Sequence, residues 1–128
     1  MSEQDLRQFV FTFIAESHLD AAFFQSAGEE KQNAAFRMAW NMVLAECGMT
    51  TIPDRNSAFY LAVAEQTIFL LRKYEELAEG KILTGENVDG ISASYTLLST
   101  TGFSPVATTY LACAKKNAAP AIVRYGRG

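Results

Sequence analysis

Apolar side chains recur every three or four positions through four stretches of the chain, and this spacing predicts four helices. The first begins near Ser2, an N-cap with Glu3 and Asp5 in the first turn, and carries Leu6, Phe9, Val10, Phe13 and Ile14 along one side. Its end is blurred: "SHLDAAFFQSAGEE" has room for another short turn before a break at Ala27 and Gly28. The second helix is predicted from about Glu30 to Cys47, stopping at Gly48, a residue suited to a left-handed cap. Phe36, Ala39, Trp40, Val43 and Cys47 share one of its faces; Glu30, Asn33, Arg37 and Asn41 share the other.

After the loop "MTTIPDRNS", with Pro53 and Asp54 as start signals, the third helix is predicted from about Asn56 to Glu79, ending at Gly80. Its first half, "AFYLAVAEQTIFLL", is apolar on nearly every face. Such a helix is either central to its own domain or partly buried against another subunit. The fourth helix opens at Ser104-Pro105, a cap followed by proline at the first helical position, places Val106, Tyr110 and Cys113 on one side, and ends near Asn117. Pro120 prevents continuation, and "AIVRY" beyond it is strand-like.

Between the third and fourth helices lies "KILTGENVDGISASYTLLSTTG", residues 81–102, without helical periodicity. A structureless connection of this length is uncommon in a compact domain unless it has a task. "ENVDG" offers turn chemistry and "ISASYTLL" alternates, which predicts a short β-hairpin or an extended loop. Ser92 and Ser94 set against Ala93 and Tyr95 put small hydroxyls on one face, where another backbone can approach. A two-stranded ribbon is marginal by itself and its edges invite a partner. The fold class expected is therefore mainly α: a bundle of about four helices over residues 1–117, a protruding loop at 81–102, and an extended basic tail at 118–128.

Length supports one domain, because 128 residues leave no room for two cores. Charge adds an asymmetry. Residues 115–128 carry Lys115, Lys116, Arg124 and Arg127 and no acid, whereas the other 114 residues carry seven basic and fourteen acidic side chains. An acidic body with a basic tail points to docking on an acidic neighbour, partner or nucleic acid, although basic tails without a task are equally common. No apolar run approaches the roughly 20 residues of a membrane span. The start lacks the basic and apolar regions of a signal peptide, which predicts a protein that stays in the cytoplasm where it is made. Cys47 and Cys113 sit in apolar helical patterns and are expected to be buried small hydrophobes rather than a disulfide.

Catalytic chemistry finds little support. His18 is the sole histidine and reads as a surface or helix-end residue. No serine or cysteine lies in a nucleophile elbow, no glycine cluster has the strand–loop–helix context of a phosphate loop, and no ligand spacing supports a metal site. The expectation is a non-enzyme without cofactor or metal. Phe9, Phe11, Phe13, Phe23, Phe24 and Trp40 read as core rather than as a stacking surface for bases. What remains is an interaction protein whose two strand-like segments are its contact devices, able to add to a neighbour's edge.

Four segments, in order, resemble the small tailed-phage head-tail connector (adaptor) proteins: "AVAEQTIFLL" (62–71) their central helix, "VDGISASYTLL" their contact loop, "FSPVATTYL" their last helix and "IVRYGRG" their basic tail. The likeness covers residues 36–128; the first 35 are not diagnostic. It implies a helical subunit of a homo-oligomeric ring of about a dozen copies beneath the portal, joining the DNA-filled head to the tail. Its implied partners are the portal protein and a tail-completion or stopper protein, with DNA passing through unread and no membrane contact. The implied location is the host cytoplasm during assembly and then the virion. The resemblance makes Gly90, Ser92, Ser94 and Tyr95 subunit-contact candidates and Arg124, Tyr125 and Arg127 portal-docking candidates. An acidic ring wall would let a duplex slide without neutralising its phosphates. The alternative from the residues alone is a non-viral helical dimer, a regulator or interaction protein, with the apolar third helix as its seam.

Overall fold

A computed structural model describes residues 1–78 and 102–118 of the chain. Five helices make up the described fold: α1 (Glu3–Ser17), α2 (Ala21–Ala27), α3 (Glu29–Glu46), α4 (Ser57–Ala78) and α5 (Pro105–Ala118). Among the described residues there is no strand. The predicted hairpin or extended loop and the tail fall on residues outside them, except Gly102 and Ala118, the latter being the last residue of α5 rather than the first of an extended tail.

The ends of the helices follow local chemistry. Ser2 caps α1, its hydroxyl accepting from the Asp5 N–H at 3.1 Å. Gly48 takes φ +68° just past α3, a backbone that side chains with a Cβ resist. The short turn expected after α1 is a helix, α2. Its last turn is held by Gln32, which donates to the Phe24 carbonyl at 2.6 Å. Helix α4 starts three residues after the predicted Pro53-Asp54 signal, because Asn56 supplies the cap and accepts the Phe59 N–H at 3.1 Å.

Helix α4 is the central element, packed against α1, α2, α3 and α5. Phe59, Val63, Gln66, Thr67 and Leu71 are all at most 2% exposed within this one chain. The first of the two sequence alternatives for the apolar helix is met: it is the central helix of its own domain. Contacts set the directions. Phe9 meets Tyr60 and His18 meets Glu65, so α1 runs parallel to α4; Lys31 meets Glu75 and Met42 meets Gln66, so α3 runs antiparallel. Leu6, Val10 and Ile14 of α1 and Phe36, Ala39 and Val43 of α3 fill the space between, all 0–1% exposed. Phe11 stands edge-on to both Phe24 and Phe36, which knits α1, α2 and α3 into one aromatic cluster.

On α5 the expected face needs correction. Val106 and Cys113 are exposed and Tyr110 half-buried, while Ala107, Leu111 and Ala114 are the residues turned inward. Two alanines at the contact let α5 approach α4 closely, and the larger residues are displaced to the flank. Both cysteines are free; Cys113 is exposed rather than buried, and Cys47 half-buried. Burial pushes the Cys47 thiol upward in pKa, the direction opposite to that of an activated cysteine.

Candidate functional site

The buried polar residues gather at the α4–α5 seam. Asn56, Gln66, Thr67 and Ser104 are the buried polar side chains among the described residues. Thr67 returns its hydroxyl to the Val63 carbonyl one turn back, at 2.7 Å. The other three connect two helices that are far apart in sequence.

Gln66 stands in the middle of the apolar run, with its side chain 0% exposed. Its Nε2 donates to the Gly102 carbonyl at 2.6 Å and lies 3.7 Å from Met42 Sδ, while its Oε1 accepts the Ser104 N–H at 2.9 Å. Every polar position of the amide is matched, and the partners define its orientation, since a flipped amide would face acceptor with acceptor. The amide brackets Phe103, which packs on the core. Ser104 then caps α5, its hydroxyl accepting the N–H groups of Val106 and Ala107, each at 3.1 Å. At the other end Asn56 Nδ2 donates to the Ala114 carbonyl at 3.1 Å.

These contacts define the base of the connection 79–101. One end leaves α4 after Ala78, and the other is held at Gly102 against Gln66, twelve residues back along the same helix. Twelve residues of helical rise are about 18 Å, which about six extended residues can bridge. The connection has 23 residues. About three quarters of it is surplus to closing the gap.

A second feature lies beside this base. Glu30, Lys31, Ala34, Ala35 and Met38 of α3 and Leu70, Leu71 and Tyr74 of α4 line a groove of about 380 Å³. Met38 and Tyr74 are 56% and 55% exposed although both are large and apolar in body. The rim is polar: Lys31 pairs with Glu75 at 3.6 Å and lies 5.4 Å from the centre of the Tyr74 ring.

The His18 reading is refined. It is the C-cap of α1, but it is only 13% exposed and bonded on both sides. The Asp20 N–H donates to Nδ1 at 3.0 Å, so Nε2 carries the proton and donates to Glu65 Oε1, also at 3.0 Å. Neither ring nitrogen is free to act as a base, and the pair works as a tie between α1, the start of α2 and α4. Among the described residues no group of histidine, cysteine or carboxylate side chains could hold a metal, and no helix is long and apolar enough to cross a membrane.

The sequence-derived candidates Gly90, Ser92, Ser94 and Tyr95, and Arg124, Tyr125 and Arg127, lie outside the described residues. What the structure adds is the anchor of the connection that carries the first group, in Gln66 and Ser104, and the groove with Met38 and Tyr74. Gln66 had a sequence signal, a carboxamide in the short polar interruption Glu65–Thr67 of a largely apolar helix. Compared with known proteins, the chain matches no family model, no curated protein and no solved structure.

Proposed function

We propose that this chain is a head-tail connector subunit of a tailed phage: a helical body that joins a ring under the portal through its 79–101 connection, built as a hairpin or extended loop. The observation that carries the reading is the anchoring of that connection. Both ends are fixed to the most buried helix of the domain, one covalently and one through the Gln66 amide, while the length between them far exceeds the gap. A long segment on a rigid base is the arrangement of a contact loop rather than of a linker.

The burial of α4 within its own domain supports this reading over the helical-dimer alternative, which needs that surface for a seam. A heterologous ring needs two different surfaces on each copy, and Gly90, Ser92, Ser94 and Tyr95 would belong to one of them. The basic tail, with Arg124, Tyr125 and Arg127, would reach the portal.

Co-sedimentation with the portal protein of the same phage tests the proposal. The full chain is expected to pellet with portal rings. A chain truncated after Asn117 is expected to stay in the supernatant with its helical circular dichroism intact. A full chain that does not bind, or a truncated chain that binds equally well, overturns the corresponding part of the reading.

A further inference from the structure

We propose that the α3–α4 groove is the receiving surface for residues 79–101 of a neighbouring copy. The inference rests on the ring reading and supplies the second of the two surfaces that a heterologous contact requires.

The groove fits an extended segment. Its α3 wall runs from Glu30 to Met38, eight residues and about 12 Å of helical rise. Three alternate side chains of an extended chain span about 13 Å. The sequence 91–97 places Ile91, Ala93, Tyr95 and Leu97 at alternate positions and Ser92, Ser94 and Thr96 between them. Laid along the groove with three consecutive members of the first set inward, it would cover Met38 and Tyr74, the two large side chains that the described body leaves exposed there. The serines would face away or meet the polar rim of Glu30, Lys31 and Glu75.

Length and position favour this occupant. The segment leaves α4 one turn beyond Tyr74 and returns to Gln66, so its base flanks the groove of its own copy. About 17 surplus residues, doubled back on themselves, project about 27 Å, more than twice the 10–12 Å diameter of a helix. That reach would belong to the tip near Ile91, while Leu97, five residues from Gly102, could extend about 17 Å, still beyond the diameter of a helix. The tail 119–128 is the poorer fit, because α5 delivers it beside Glu46, at the far end of α4 from the groove.

Disulfide capture tests the contact in the full chain. In a Cys47→Ala, Cys113→Ala background, a Met38→Cys copy is mixed with a differently sized copy carrying Ile91→Cys, Tyr95→Cys, Leu97→Cys, Ser94→Cys or Ile122→Cys, with and without portal, and oxidised. Cross-copy bonds are expected with residues 91, 95 or 97, weaker with 94 and absent with 122. Adding Tyr74→Lys to the Met38→Cys copy is expected to lower capture about tenfold, since a charge then sits in the apolar trough. Capture through residue 122 alone, no capture at all, or a bond within one chain when both cysteines are on one copy overturns the inference. Portal co-sedimentation of the same mixtures is read separately. Portal binding without capture sinks the groove contact alone, and capture without portal binding sinks the connector reading alone.

Discussion

Gln66 and Ser104 face each other across α4 and α5, with the side-chain oxygen of the first accepting the backbone N–H of the second at 2.9 Å. Ten residues earlier on the α4 side, Asn56 meets Ala114, ten residues later on the α5 side. The two carboxamides are therefore in register on an antiparallel helix pair, about 15 Å apart along it. One closes the returning end of the 79–101 connection, and the other locks the far end of α5. The small residue Ala107 lies between them and Ala114 at the second, both 0% exposed. Close packing and matched polar ties act together, so α5 has one defined position on α4.

Gln66→Leu removes a donor and an acceptor at once, and leaves the Gly102 carbonyl and the Ser104 N–H without partners in a buried place. At about 1–3 kcal/mol for each of the two unsatisfied groups, a loss of about 2–6 kcal/mol is expected. Urea denaturation followed by circular dichroism measures it. A loss below about 1 kcal/mol would mean that the amide is not the anchor described above.

Asn56 has two separable tasks, and two substitutions separate them. Asn56→Ser keeps an oxygen that caps α4 and is too short to reach the Ala114 carbonyl, whereas Asn56→Ala loses both. The cap contributes about 1 kcal/mol. Asn56→Ala is thus expected to unfold at lower urea than Asn56→Ser by that margin. Equal midpoints would contradict the capping geometry.

His18→Ala deprives Glu65, 13% exposed, of its hydrogen-bond donor and opens the junction of α1 with α4. A destabilisation of about 1–3 kcal/mol is expected from the unpaired buried acceptor. The exposed change Leu19→Ala next to it, at a fully solvated side chain, is the control and should move the midpoint within about 0.5 kcal/mol.

Tyr60 gives a pH dependence. Its hydroxyl donates to the Pro53 carbonyl at 2.6 Å, and burial raises its pKa above the ordinary value of about 10. The folded state holds the phenol proton more tightly than the unfolded chain does. This contribution is complete below about pH 10 and is lost as pH climbs through the folded-state value. Thermal melts between pH 8 and 11 should show an alkaline decline that is shallower in Tyr60→Phe, although that variant starts lower for want of the hydrogen bond.

Helix boundaries were legible in the sequence wherever local chemistry sets them. Ser2 and Ser104-Pro105 mark the starts of α1 and α5, and Gly48 marks the end of α3, because caps and left-handed backbone depend on adjacent residues alone. The inward face of α5 was not legible. Hydropathy favours Val106, Tyr110 and Cys113, but a close helix contact selects for size, and Ala107 and Ala114 are small enough to permit it. The roles of Gln66 and Asn56 were hidden for another reason: their partners lie 36 to 58 positions away, and no local pattern encodes such a meeting. Met38 and Tyr74 stand outside the periodic faces of their helices. Only the placement of α3 against α4 gathers them into a groove.

If neighbouring copies are joined by the chain between α4 and α5, removing its tip must abolish the assembly while sparing the fold. Mass photometry of particles formed with the portal protein, comparing the full chain with one lacking residues 88–98, reads this outcome directly. Ring-sized mass added to the portal by the full chain, and none by an equally helical shortened chain, is the result expected. Equal added mass from both would contradict it.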